Sequence, residues 1–163
     1  AQVVGAGEVI KRLDVVVTAM KFGATLEDIS VLDLGYAPPF STPIDLIAHA
    51  ANALQNKING LVDSVTGADL PELLGQPEKI CLLDVRSHDE VCNKPLPYAN
   101  KIEIPLSEIH SRWQELPQNK KIITICELGI RGFEAACLLQ GKGLNNVSYL
   151  EGGLSIIPLP RRV

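Results

Sequence analysis

The chain has 163 residues, 46% of them apolar and 21% charged, which is enough to close a globular core and too apolar for a disordered tail. Its formal charge of −4 comes with no Lys/Arg stripe interleaved with aromatics, so nucleic acid is not an expected partner. Apolar stretches such as Ile80 to Leu83 and Ile122 to Ile125 are too short to cross a bilayer, no leader pattern is visible, and four scattered cysteines suit a reducing, cytoplasmic setting.

Val9, Ile10, Leu13, Val16, Val17 and Met20 fall on one stripe with a period of about 3.6 residues, which predicts a helix over 9–22 with one buried face, stopped by Gly23. Thr25 is placed to cap the acidic turn Leu26-Glu27-Asp28-Ile29. The paired prolines of Gly35-Tyr36-Ala37-Pro38-Pro39-Phe40 force extended geometry. A further helix is expected from Pro43 to Asn56, with Ile44, Ile47, Ala48, Ala51 and Leu54 as its apolar positions. Residues 1–55 thus hold helices and loops but hardly a strand, and their apolar stripes lack a partner layer. The polar run Asn56-Lys57-Ile58-Asn59-Gly60 reads as a linker, 56–60, ahead of a second domain over 61–163.

From residue 61 short apolar runs alternate with helical patterns, which predicts an α/β domain with a parallel-rich sheet flanked by helices. Strands are expected at 61–64, 80–85, 101–104, 121–125 and 147–150, and helices at 67–74, 88–92, 107–116 and 131–141.

Between the strand Lys121-Ile122-Ile123-Thr124-Ile125 and the last helix lies the loop Cys126-Glu127-Leu128-Gly129-Ile130-Arg131. A strand-to-helix loop of this kind turns successive N–H groups inward and adds the positive end of the following helix, which makes an anion-holding nest. A cysteine at its start is favoured as thiolate, the species that reacts in sulfur chemistry. Gly129 gives backbone freedom for the curve, and Arg131 adds a planar cationic fork. Cys126 and Arg131 are the candidate catalytic residues, with Glu127, Leu128, Gly129, Ile130 and Gly132 expected around the substrate. The histidines have no cysteine or acidic neighbours at ligand spacing, so no metal site is expected, and Cys92 is a secondary candidate thiol.

Residues 61–154 resemble the rhodanese family. Leu82-Leu83-Asp84-Val85-Arg86 is similar to its strand ending in Asp-x-Arg, Ile104-Pro105-Leu106 to its Ile-Pro-Leu step, Cys126 to Arg131 to its active loop, and Val147 to Gly153 to its closing strand and Gly-Gly turn. The resemblance implies a sulfurtransferase that carries a persulfide sulfur on Cys126, with Asp84 and Arg86 bracing the loop. Lys94-Pro95-Leu96-Pro97-Tyr98-Ala99-Asn100 replaces the family's usual Gly-His-Ile step, and Glu127 beside the thiol would repel dianionic thiosulfate if it faced the mouth, which points to a thiol-bound persulfide as donor.

The N-terminal segment is similar to the end of the dimerisation domain of flavin-dependent pyridine nucleotide-disulfide oxidoreductases, of the coenzyme A-disulfide reductase and NADH-dependent persulfide reductase type. That resemblance rests on Lys11-Arg12-Leu13-Asp14-Val15, Thr25-Leu26-Glu27-Asp28 and Tyr36-Ala37-Pro38-Pro39-Phe40-Ser41. It implies a homodimer through this segment, with Tyr36 near the partner subunit's active site. Gly5-Ala6-Gly7 lacks the third glycine of a dinucleotide fingerprint, so no cofactor is expected on this chain, and FAD, NADH and CoA belong to the full-length reductase. Two other readings stand beside the sulfurtransferase: a non-catalytic interaction or dimerisation module, and a phosphatase or arsenate reductase. The last usually needs one residue more than the four between Cys126 and Arg131 to hold a tetrahedral anion.

Overall fold

A computed structural model describes residues 1–38 and 41–157, and the chain divides into two units, Ala1–Gly60 and Leu61–Val163. Among the described residues no helix is long and apolar enough to cross a membrane, and no group of three or more His, Cys, Asp or Glu is arranged to hold a metal ion.

The first unit contains α1 (Val9–Lys21), α2 (Leu26–Ser30) and α3 (Leu46–Ile58). The expected stripe of α1 is only half covered: Val9, Leu13 and Val16 are half-buried, Ile10, Val17 and Met20 are exposed, and no residue of the helix is fully buried. A few short helices do not supply the second layer that would close over it. Thr25 caps α2 in a reciprocal box with Asp28. The third helix begins three residues later than its apolar pattern suggests, because Asp45 accepts from the Ile47 N–H at 3.0 Å and so becomes the N-cap. The same carboxylate meets Arg12 at 3.2 Å, tying α1 to α3. Residues 56–58, read as linker, are the last residues of α3, and the turn comes at Asn59 and Gly60, the latter with φ +65°. The segment around Tyr36 has no helix or strand over residues 32–37; Pro39 and Phe40 lie outside the described residues.

The second unit is a five-stranded, all-parallel sheet of β1 (Asp63–Val65), β2 (Ile80–Asp84), β3 (Lys101–Glu103), β4 (Lys121–Ile125) and β5 (Val147–Leu150), in the order β1-β5-β4-β2-β3. The central strands β2 and β4 are buried on both faces, which is why they read as mostly apolar runs, Thr124 and Asp84 being the buried polar exceptions. Successive side chains feed two cores. Leu83, Ile122 and Cys126 pack with Ala135, Ala136 and Leu139 of α7 (Ile130–Gly141), whereas Leu82, Ile123 and Ile125 pack with Leu70, Leu96 and Leu154.

Three elements depart from expectation. The first strand lies at 63–65 rather than 61–64, where it pairs with β5. The helix expected from Gly67 starts at Leu70 as α4 (Leu70–Leu74), because Thr66 and Asp69 hold each other in a turn. The expected helix over 107–116 breaks into α6 (Ile109–Arg112) between two 3-10 turns, with Ile109 and Leu116 anchored in the core.

Candidate active site

The candidate thiol sits where β4 ends, at the carboxyl edge of the parallel sheet, the edge at which open α/β sheets hold ligands. Cys126 is 1% exposed and packs among the apolar residues beneath α7. Its Sγ accepts two backbone N–H bonds, from Gly129 at 3.1 Å and Gly132 at 3.3 Å. Both amides converge because Gly129, the N-cap of α7, takes φ +91°, a conformation that turns the chain back over the sulfur. The loop therefore presents a nest of donors and a helix N-terminus to one sulfur atom.

Three hydrogen bonds hold the nest in shape. Inside, the Thr124 hydroxyl donates to the Gly132 carbonyl at 2.7 Å and pins the first turn of α7 to β4. Outside, the turn after β5 folds over the loop: Leu154 N–H donates to the Cys126 carbonyl at 2.9 Å and Ser155 N–H to that of Glu127 at 3.0 Å. These two bonds require Gly153 to pass directly against the loop backbone with φ +62°.

The charges are arranged in pairs. Arg131 makes a bidentate bridge to Glu90 on α5 (His88–Asn93), both contacts at 2.7 Å. That bridge, with the Cys126 sulfur contributing, raises the Arg131 pKa, and the same bridge followed by the Ser87 N–H holds Glu90 down at about 2. Glu90 also closes the capping box of α5 with Ser87, so the arginine beside the thiol is positioned by a helix start. Asp84 and Arg86, 0% and 1% exposed, form a second pair with contacts of 2.6 to 3.2 Å, and Arg86 Nη2 donates onward to the Lys94 carbonyl at 2.9 Å. Burial disfavours the Arg86 charge, but Asp84, helped by Glu127 and Glu90, outweighs it and the pKa is raised. The third pair is Glu127 with Lys94, at 2.9 Å, with Arg86 Nη1 3.9 Å from the other carboxylate oxygen.

The structure thus gathers Cys126, Glu127, Gly129, Arg131 and Gly132 with Asp84 and Arg86 around one point. Leu128 and Ile130 are 64% and 72% exposed and form an apolar lip beside it. Tyr36 lies in the first unit and is half exposed. His88 does have a cysteine neighbour, contrary to expectation: its Nε2 is 3.5 Å from the exposed Cys92 Sγ, an i,i+4 contact on α5. Glu90 points to Arg131, and Cys92, two residues on, faces nearly the opposite way around the helix, so it is poorly placed to meet Cys126. Neither Glu90 nor Lys94 was expected among the site residues. The spacing Ser87-x-x-Glu90 was a legible cap signal, but its reach to Arg131, 41 residues away, was not.

The pair Glu90–Arg131 sets a pH dependence. A carboxyl held at about 2 when folded contributes stability that is complete above its ordinary value of 4.5 and is lost as the pH falls through about 2. The stability gap between wild type and Glu90→Gln, followed by thermal unfolding, should therefore be constant near neutrality and shrink between those values. Both side chains are more than a third exposed, so the gap should not exceed about 1 kcal/mol.

Known proteins resemble this chain in sequence and fold. The family profile described as Rhodanese-like domain matches residues 66–156. A sulfurtransferase of Allochromatium vinosum is 27% identical over 94 residues, 58% of this chain and 86% of its own length. The structure of a NAD-dependent persulfide reductase from A. fulgidus superposes with a TM-score of 0.77 at 37% identity, over 92% of this chain and 26% of the reductase. Reduced CoADR-RHD from Bacillus anthracis does so with a TM-score of 0.78 at 35% identity, over 88% of this chain and 25% of that one. The chain spans about a quarter of the length of these two solved structures.

Proposed function

Since this chain belongs to the rhodanese-like domain family and carries a sulfurtransferase domain of that kind, we propose that Cys126 takes up sulfane sulfur as a persulfide and passes it to a thiol. The observation that carries this reading is the pair of backbone amides converging on Sγ at 3.1 and 3.3 Å. Donors placed there stabilise negative charge on sulfur without having to reorganise.

The Cys126 thiolate attacks the outer sulfur of a donor R–S–SH. A bond forms between Cys126 Sγ and that sulfur, the S–S bond joining it to the inner sulfur breaks, and RS⁻ departs and takes up a proton. In the second half an acceptor thiolate attacks the same outer sulfur, and Cys126 leaves as thiolate. Sulfur is transferred with no outside oxidant or reductant. The inner amides hold the Cys126 charge at both ends of the cycle, and Arg131, oriented by Glu90, lies beside the sulfur that gains charge. Asp84 and Arg86 act behind the loop as a brace through the Lys94 carbonyl.

Similarity to the two reductases covers too much of this chain to be confined to the second unit, which supports a place for the domain in a flavin-dependent persulfide or CoA-disulfide reductase of the cytoplasm. In that setting the first unit contributes to a homodimer, Tyr36 approaches the partner subunit's active site, and FAD, NADH and CoA are held by the remainder of the enzyme. The direct test is the intact mass of the protein after exposure to polysulfide. One added sulfur on the peptide bearing Cys126, removed by a thiol, is expected; loading on any other cysteine alone would overturn the assignment.

A further inference from the structure

Resting on Cys126 as the sulfur carrier, we propose that the Lys94–Glu127 pair makes the mouth of this site neutral and so selects organic persulfides over inorganic thiosulfate. Three cations stand near the thiol, and each is matched by a carboxylate. Asp84 holds Arg86 out of water, and Glu90 takes both Nη atoms of Arg131. In the third match it is the carboxylate that belongs to the reactive loop, where Glu127 directly follows Cys126 and its carbonyl is fixed by Ser155 N–H. Its carboxylate is not a free charge that repels donors. It is bound to Lys94 at 2.9 Å, with Arg86 3.9 Å away.

Lys94 is fixed at both ends, its carbonyl accepting from Arg86 and its ammonium donating to Glu127. The polar mouth therefore offers no surplus positive charge to a dianion, which must shed water to reach a thiol that is 1% exposed. A persulfide whose first carbons are uncharged loses far less on entry. It also gains contact with Leu128 and Ile130, the exposed lip on either side of Gly129. Either donor delivers the same atom: thiosulfate gives its outer sulfur to Cys126 and releases sulfite, and an alkyl persulfide gives its outer sulfur and releases an alkyl thiolate.

The test compares initial loading rates of Cys126 by thiosulfate and by a short alkyl persulfide, read by intact mass at low salt. The variants are Glu127→Gln, Lys94→Gln and the double variant. Removing the carboxylate leaves Lys94 uncompensated, so the thiosulfate-to-alkyl ratio should rise about tenfold, the size expected for one partly screened charge acting on a dianion. Removing the ammonium should lower the ratio by a similar factor. The double variant restores neutrality and should return close to the wild-type ratio, and the single-variant effects should shrink as salt is added. Shifts of both single variants in one direction, or a double variant that fails to return, would overturn the inference while leaving Cys126 as carrier. If neither donor loads Cys126 in wild type, the carrier reading itself fails.

Discussion

Cys126→Ser is expected to abolish sulfur loading, by at least about a thousandfold, while leaving the fold intact, since it removes the nucleophile on which both half-reactions depend. The contacts that hold the loop do not use the thiol. The Cys126 carbonyl would still accept from Leu154, and a serine hydroxyl can accept the amides of Gly129 and Gly132 that now meet Sγ. Intact mass after polysulfide treatment, with thermal unfolding alongside, separates the two effects. The remaining cysteines make useful controls for different reasons. Cys81 is 3% exposed on β2 and burial pushes its thiol pKa up, as it does that of Cys137 on α7, so neither should compete as a thiolate. Cys92 is exposed beside His88 and will collect adventitious modification. If Cys92→Ser, and not Cys126→Ser, stopped reversible loading, the site would have to be moved to α5.

What was legible from the residues follows the range of the forces involved. The limits of β4 and β5 match expectation to the residue, because a short, mostly apolar and buried run between polar turns marks a strand of a covered parallel sheet. The reactive loop was legible for a similar reason: cysteine, glycine and arginine at fixed spacing between strand and helix constrain the backbone locally. Long-range partners left no such mark. Nothing in the vicinity of Arg131 tells that Glu90 will meet it, and nothing next to Glu127 tells that Lys94 will neutralise it. Lys94 stood out only as a departure from a family pattern, and the departure is where the compensating charge sits. In the first unit the pattern was correct and the packing was not, since an amphipathic stripe states which face is apolar, not whether anything covers it. The Gly-Gly turn was recognisable as a motif, but its reason, direct backbone contact with the loop, arises only when the chain is folded.

That contact makes Gly153→Ala the substitution expected to cost most without touching a reactive group. A Cβ at this position would lie 2.5 Å from the Cys126 carbonyl oxygen and 2.6 Å from both the carbon and oxygen of the Glu127 carbonyl, and the backbone is already at φ +62°. All three obstacles are main-chain atoms of the reactive loop, so no side-chain rotation relieves them. The turn must lift, and in lifting it gives up the bonds from Leu154 and Ser155 that close the nest. Strain at positive φ, overlap with backbone and two lost hydrogen bonds together place the loss of stability at about 3 kcal/mol or more. Sulfur loading should fall with it, because the Gly129 and Gly132 amides then no longer have a fixed point on which to converge. Two neighbouring glycines calibrate the result. Gly152→Ala shares the positive φ, at +70°, but its three nearest neighbours are all Ile156 side-chain atoms, the closest at 2.8 Å, which can shift more readily than backbone, so a smaller loss is expected. Gly141→Ala, at the end of α7 with nothing within 4 Å, should be close to neutral. Thermal unfolding of the three variants, with loading rates measured below their transitions, should rank them Gly153, Gly152, Gly141 in falling severity. A Gly153→Ala protein with wild-type stability and loading would show that the turn after β5 does not hold the loop.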